Sequence, residues 1–444
     1  MVIGFDESLA GFVRALGQAG VDSSEAGGTV IRDSRGRLSF VSNTRLVKTV
    51  IDNVSAAITK DLKLYISPIG PIADADSPGA RRVLEDSSAL TVDLKANNGT
   101  ELRVKLLDRR AVGTDWLHVP VEPAAKPPRL VFASLKGGVG RSTALSVLAA
   151  ELSEQGRTIL VIDLDMEAPG IGSMLIEQDA LPRFGTIDFF VENALKEIDD
   201  SFLLDCVGSS WLGGGRGRID VVPSIGAISL EHPGGVLAKL ARAYLDAPTE
   251  ELNQKTFLTG AQTFLARLTS LNKYDAVLID ARAGLHETTA APILGLGADV
   301  LLFGVNQIQT IIGFKVLLAQ LAQFPRPQLE DDWRYRLRMI QAKALPDESS
   351  LLIYRSQMFD LFDAAFYQKE TVKTGDLLAA GFRFSIDDKD APHFPIPIFE
   401  DERYRLFDPV RDKSQLLKSF YDKGFGQFIE FAIERLQVNE VIEP

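Results

Sequence analysis

The 444-residue chain is poor in sulfur ligands and imidazoles: it has one cysteine, Cys206, and four histidines, His118, His232, His286 and His393. A lone cysteine excludes an intrachain disulfide framework and a multi-cysteine zinc site, and fits a reducing compartment. The histidines stand singly, without H-x-x-H or H-E-x-x-H spacing, so no metal centre or catalytic triad is expected from them. A long apolar run is also missing. The most apolar stretch, Pro292 to Asn306, is interrupted by Asp299 and is shorter than the roughly 20 residues of a spanning helix. The first residues, MVIGFDESLAGF, carry acids where an export signal has a basic start and an apolar run, so no export is expected and the location read from the sequence is cytoplasmic.

Excess positive charge is lacking too, with 48 Lys and Arg against 60 Asp and Glu, a net charge of −12. This disfavours generic affinity for nucleic acid or anionic lipid. What is present is an ordinary globular composition, 45% hydrophobic, long enough for two or three domains. The clearest break is Pro120–Pro128, four prolines in nine residues, read as a linker. The residues before position 129 sum to zero charge, so the whole −12 falls on residues 129–444.

Residues 1–119 read as a small α+β domain. Leu46, Val47, Val50, Ile51, Val54 and Ile58 recur at helical spacing behind Thr44 as a candidate N-cap. Hairpins are expected over Thr29–Ser42, turning at Asp33–Gly36, and over Leu90–Asp108, turning at Asn97–Gly99. No residue set there suggests chemistry, and a docking or regulatory role is expected.

Beyond the linker, strand patterns at Leu130–Ser134, Thr158–Asp165, Ile219–Ser224, Tyr274–Asp280, Val300–Asn306, Leu337–Ala344 and Ile396–Phe399 alternate with helical ones at Ser142–Gln155, Thr256–Leu271 and Ile312–Gln323. This alternation predicts a doubly wound, mostly parallel α/β sheet over 129–444, with ligands at the carboxyl ends of its strands. Residues 345–394, with Phe359, Phe362, Phe366 and Tyr367 at helical spacing, read as an inserted helical element. Gly213–Arg218, mixing glycine with two arginines, reads as a mobile loop or a nucleic-acid contact. The expected C-terminal helix, Ser414–Leu436, is interrupted by Gly424 and Gly426, and residues 426–444 hold four glutamates against one arginine. That sign is wrong for anionic lipid, so core packing is expected there.

The first of these strands runs into Leu135-Lys136-Gly137-Gly138-Val139-Gly140-Arg141-Ser142-Thr143 and then a helix. Glycines let backbone N–H groups converge on an anion, and the helix N-terminus adds its dipole. The general pattern G-x-x-x-x-G-K-[ST] is matched only in part. The run K-G-G-V-G-x-[ST]-T nevertheless resembles the deviant Walker A loop of the MinD/ParA family of P-loop ATPases, with Lys136 as the signature lysine. Val161-Ile-Asp163-Leu-Asp165 is similar to the family strand that carries two aspartates, whose i and i+2 side chains share one face. Tyr274–Asp280 with Ala281-Arg282-Ala283-Gly284 looks like its Walker B strand and switch.

The resemblance implies an ATP- and Mg²⁺-binding ATPase. Gly137, Gly138, Val139 and Gly140 would offer N–H groups, Arg141 would hold β and γ oxygens, and Thr143 would reach the α-phosphate. Ser142, Asp163 and Asp280 would serve the metal, and Asp165 would orient or deprotonate water. Lys136 would reach across an ATP-dependent homodimer. Two departures bear on turnover: Arg141 replaces the usual lysine, and Arg282 the usual switch proline. Related ATPases pair a K-G-G-V-G-R loop with a D-x-R-x-G switch, so the two changes are consistent with one subfamily. Base contacts are expected from Gln341, Lys343 or the turn Asp401-Glu402-Arg403. The function implied is a dimerisation switch acting on a partner protein through the N-terminal domain or the 345–394 insertion. A nucleotide-binding scaffold with little hydrolysis and a DNA-partition protein stay open as alternatives.

Overall fold

Alternating apolar residues over Gly28–Arg32 (β1) and Leu38–Ser42 (β2) pair antiparallel, with the chain reversing through Asp33 and a left-handed Gly36. In this computed structural model the described residues are 4–68, 70–95, 101–110, 112–124, 126–213, 216–245, 247–248, 254–325, 332–367 and 382–438. The chain forms two compact units that meet in sequence at His118 and Val119.

In the first unit, Ile72–Ala73 (β3), Leu90–Lys95 (β4) and Glu101–Asp108 (β5) complete a five-stranded mixed sheet of order β3-β2-β1-β5-β4. The expected second turn, Asn97–Gly99, lies outside the described residues, but the strands on either side of it pair antiparallel as a hairpin would. Helices Phe5–Gln18 and Lys48–Leu62 cover the sheet, burying Phe12, Leu16, Val54 and Ile58 against Val30, Phe40 and Val104. Thr44 is not the cap of the second helix. That helix starts at Lys48, and the Thr44 hydroxyl pairs with Ser42 Oγ at 3.2 Å, because a Ser–Thr contact at the strand end satisfies it first. The helix Phe5–Gln18 was not read from the sequence.

The second unit is built on an eight-stranded sheet. Its strands are Arg129–Ser134 (β6), Thr158–Asp163 (β7), Gly208–Ser209 (β8), Arg218–Val222 (β9), Ala276–Ala283 (β12), Asp299–Gly304 (β13), Leu337–Ala344 (β14) and Ile396–Phe399 (β15). A separate two-residue ladder joins β10 (Ala247–Pro248) to β11 (Gln254–Lys255). The order is β15-β14-β13-β6-β12-β7-β9-β8, parallel except where β8 meets β9. Such a sheet must be covered on both faces. On one, the helix Arg141–Glu154 and the C-terminal helix Lys418–Val438 bury Leu145, Leu148, Phe428 and Ala432 against Phe132 and Phe303. Rings of Phe132, Phe303 and Phe428 lie with centroids 5.6 to 6.2 Å apart. The C-terminal helix runs through Gly424 and Gly426 without interruption. Its packing satisfies the expectation of a core helix. On the other face, Ala261, Phe264 and Leu265 of the helix Phe257–Leu271 meet Ile162 and Ile279.

The proline-rich segment is held to this unit: the N–H groups of Val121 and Ala124 bond to the carbonyls of Leu294 and Gly297 at 2.8 and 2.9 Å. Of the 345–394 insertion, Glu348–Ala365 is a helix with Tyr354, Met358 and Phe362 buried, and 368–381 lie outside the described residues. Residues 214–215 of the glycine–arginine segment also lie outside them, while Arg218 opens β9 and pairs with Asp220. Among the described residues no helix is long and apolar enough to cross a membrane.

Candidate functional site

The register of the sheet brings the acids together. Asp280 of β12 stands directly beside Asp163 of β7, both at the carboxyl ends of adjacent parallel strands and both buried. The ladder between β12 and β6 breaks after Asp280, and the Gly284 N–H closes back on the Ser134 carbonyl at 2.9 Å. Between these strand ends the loop 135–140 leaves β6 and enters the helix Arg141–Glu154. Gly138 and Gly140 have φ of +73° and +93°, conformations that a side chain rarely adopts. A Cβ placed on either would meet nothing within 4 Å, so the loop borders open space.

Arg141 is buried, and its Nη2 donates to Asp165 Oδ2 at 3.0 Å. Its Nε is 3.8 Å from Asp280 Oδ1, and its Nη1 has no hydrogen-bond partner. Ser142 Oγ donates to Asp280 Oδ2, whereas Asp280 Oδ1 accepts no hydrogen bond. Asp163 serves the following loop: Oδ1 accepts from the Asp165 N–H at 2.9 Å, and Oδ2 from the Gly170 N–H at 3.2 Å and the Ser224 hydroxyl at 3.3 Å. Asp165 Oδ1 accepts from the Ala168 N–H at 3.2 Å.

Burial, then the charges of Asp280 and Asp165, push the Asp163 carboxyl up to about 8. Burial also raises Asp280, to about 6, with Arg141 and the Ser142 hydroxyl pulling it back. Three acids thus share a buried corner with a single guanidinium, more carboxyls than one cation can neutralise. No cluster of three or more His, Cys, Asp or Glu able to hold a metal occurs among the described residues. An oxygen-seeking divalent cation that keeps waters and takes phosphate oxygens needs no such cage. Ser142 Oγ and the unpartnered Asp280 Oδ1 fit Mg²⁺ in that mode.

Lys136 is exposed and hydrogen-bonds the side chains of Gln307 at 2.8 Å and Gln309 at 3.4 Å. Neither glutamine stood out in the sequence, since both follow the end of β13 far along the chain. Arg282 donates to Glu167 Oε2 at 2.6 Å, so the loop that follows β7 is tied to the last residues of β12 by an ion pair. His286 caps the short helix Glu287–Ala290 by accepting from the Thr288 N–H.

Gly138, Val139, Gly140 and Thr143 form one wall of a cavity of about 380 Å³. Lys343 and Asp401, expected near the base, line it, but Gln341 is buried within β14 and does not. The Asp401 carboxylate is taken by Arg403 Nε at 3.0 Å. Lys343 is held at φ +53° where the β14–β15 register shifts between Gln341 and Ala344. The aromatic wall of Tyr404, Phe407 and Phe425 escaped sequence reading. The Tyr404 and Phe425 rings pack at 5.0 Å. The i, i+3 pair Tyr404 and Phe407 was a usable signal only with the fold known.

A glycine loop between a buried parallel strand and a helix, with acids on the neighbouring strands, is the phosphate-binding arrangement of the P-loop NTPase fold. Residues 128–191 match the model of the family described as ParA, NUBPL iron-transfer P-loop NTPase. That strand–loop–helix segment is therefore similar to the corresponding segment of the ParA family. An iron-sulfur cluster carrier protein of Methanocaldococcus jannaschii is 34% identical over 79 residues, 17% of this chain. The chain spans only 27% of that relative's length. Among solved structures, a ParA family ATPase from Chlorobium tepidum aligns over 67% of this chain and 98% of its own, with 16% identity and a TM-score of 0.41. A putative plasmid partition protein of Borrelia burgdorferi bound to AMPPNP aligns over 70% and 99%, with 19% identity and a TM-score of 0.42.

Proposed function

We propose that the second unit binds and hydrolyses MgATP, and that the bound nucleotide drives pairing of two copies into a state that a partner protein reads. The observation that carries this reading is the group of buried Arg141, Asp165 and Asp280 with half-buried Ser142 at the end of the glycine loop. The backbone of residues 137–140 receives phosphate oxygens, with the N-terminus of the helix behind it adding its dipole. Arg141 takes β and γ oxygens, and Thr143 the α-phosphate. Ser142 and Asp280 would hold Mg²⁺, and Asp163 would support them from behind through the loop it fixes. The metal ion supplies charge neutralisation on the β and γ oxygens. Asp165 orients the attacking water. The cavity walled by Tyr404, Phe407 and Phe425 receives the base, which stacks on aromatic rings. Lys136, exposed on its glutamine pair, is free to exchange those neutral partners for the phosphates of a second copy.

Cluster carriage, as named for the archaeal relative, finds no support in this chain's ligands. Iron–sulfur clusters are held by cysteine thiolates, and Cys206 is buried, with its thiol pushed up by burial.

Light scattering with a non-hydrolysable ATP analogue and magnesium tests the switch. The expected result is a dimer for wild type and a monomer for Lys136→Ala, with analogue affinity changed less than about threefold, since an exposed lysine contributes little within one copy. A wild-type protein that stays monomeric at saturating analogue refutes the switch. A dimer without phosphate release would mark a nucleotide-binding scaffold instead.

A further inference from the structure

The site described above leaves one question of chemistry: what an arginine does at position 141 that a lysine would not. An ammonium is a compact point charge, whereas a guanidinium is a rigid planar fork whose edges can serve different partners at once. Here the two edges are already distinguished. Nη2 holds Asp165 Oδ2 at 3.0 Å, with the Arg141 and Asp165 side chains 8% and 6% exposed, while Nη1 is buried and has no partner. Asp165 is fixed from two further sides, by its own N–H on Asp163 and by the Ala168 N–H on Oδ1. The carboxylate group therefore has one orientation, and Arg141 is the only side chain in this set of contacts that also borders the glycine loop.

We infer that Arg141 is a positioning residue for Asp165 as well as a phosphate ligand: Nη1 takes a phosphoryl oxygen while Nη2 keeps the carboxylate at a fixed distance from it. This rests on the ATPase reading above. A buried donor without a partner is costly, and a phosphoryl oxygen satisfies it without breaking the Asp165 contact. Asp165 then accepts a hydrogen bond from the attacking water. The water oxygen bonds to the γ-phosphorus as the bond from that phosphorus to the β–γ bridging oxygen breaks. ADP leaves with the bridging oxygen, and the water protons end on the released phosphate and in solvent. The substitution that departs from the usual loop is, on this account, what sets the water's acceptor.

The test is a pair of substitutions on the full-length protein, Arg141→Lys and Asp165→Asn, singly and together, with analogue affinity and the ATP hydrolysis constants measured for each. Arg141→Lys keeps a cation for the phosphates but cannot hold both partners. The expected result is an affinity for MgATP analogue within about threefold of wild type and a kcat lowered at least tenfold, in the range of a lost proton-accepting group. Asp165→Asn in the Arg141→Lys background should lower kcat by less than about threefold more, because the two residues act as one unit. Wild-type kcat in Arg141→Lys, or losses that multiply in the double variant, overturns the proposal and leaves nucleotide binding intact. Phosphate release absent from a wild type that binds ATP overturns it as well. Failure of the wild type to bind ATP overturns the ATPase reading itself.

Discussion

Asp163→Asn should make the nucleotide-free protein more resistant to unfolding as the pH rises, although it removes a buried hydrogen-bonding group. The wild-type carboxyl is pushed up to about 8, first by burial and then by Asp280, whereas in an unfolded chain it titrates at about 4. Between about pH 4 and about pH 8 the folded state therefore holds a proton that the unfolded state has lost. The stability linked to that proton is fully present below the window and is lost as pH rises through it, by about 1.4 kcal/mol per pH unit. Asparagine does not titrate. Its cost is the loss of one acceptor among the N–H groups of Asp165 and Gly170 and the Ser224 hydroxyl, about 1 to 2 kcal/mol. The two proteins should cross near pH 5, and the variant should lead by at most about 4 kcal/mol at pH 8. For a unit of this size that is a difference in Tm of roughly 5 °C. The assay is calorimetric melting of both proteins in chelator, without nucleotide, at pH 5, 6, 7 and 8. Melting temperatures that stay parallel across that range would refute the argument that Asp163 is protonated at neutral pH.

Two further outcomes follow from backbone and pocket. Gly140→Ala forces a Cβ into φ +93°, which costs about 1 to 2 kcal/mol and should weaken MgATP binding about tenfold or more; unchanged affinity by titration calorimetry would show that the loop does not keep this shape when loaded. Tyr404→Ala removes one aromatic wall of the cavity and should cost about 1 to 3 kcal/mol of ATP affinity while sparing tripolyphosphate. Equal losses for both ligands would move the base elsewhere.

The sheet and its phosphate loop were legible because buried parallel strands are written as continuous apolar runs, and β14 and β15 match their sequence ranges at both ends. The roles of Asp163 and Asp280 were implied by the resemblance of their strands to the family's motifs, yet their side-by-side register is a property of pairing and not of either segment. The Gln307 and Gln309 partners of Lys136, and the aromatic wall, come from segments distant in sequence and carry no local pattern. The helix Phe5–Gln18 carries its signal in Leu9, Phe12, Val13 and Leu16, buried at helical spacing behind an acidic first turn.

The strand order also bears on how the chain is made. β6 and its loop are synthesised first in the second unit, but their sheet neighbours are β12 and β13, residues 276–283 and 299–304. β7 and β9 can join earlier, since each supplies an edge to the other. On the ribosome, therefore, β6 keeps two open edges while the chain lengthens through everything between, the condition under which nascent chains rely on chaperones. The loop 135–140 is flanked by both of its neighbouring strands only in a chain grown past residue 304, so a ligand held there acts late in folding and cannot template its start.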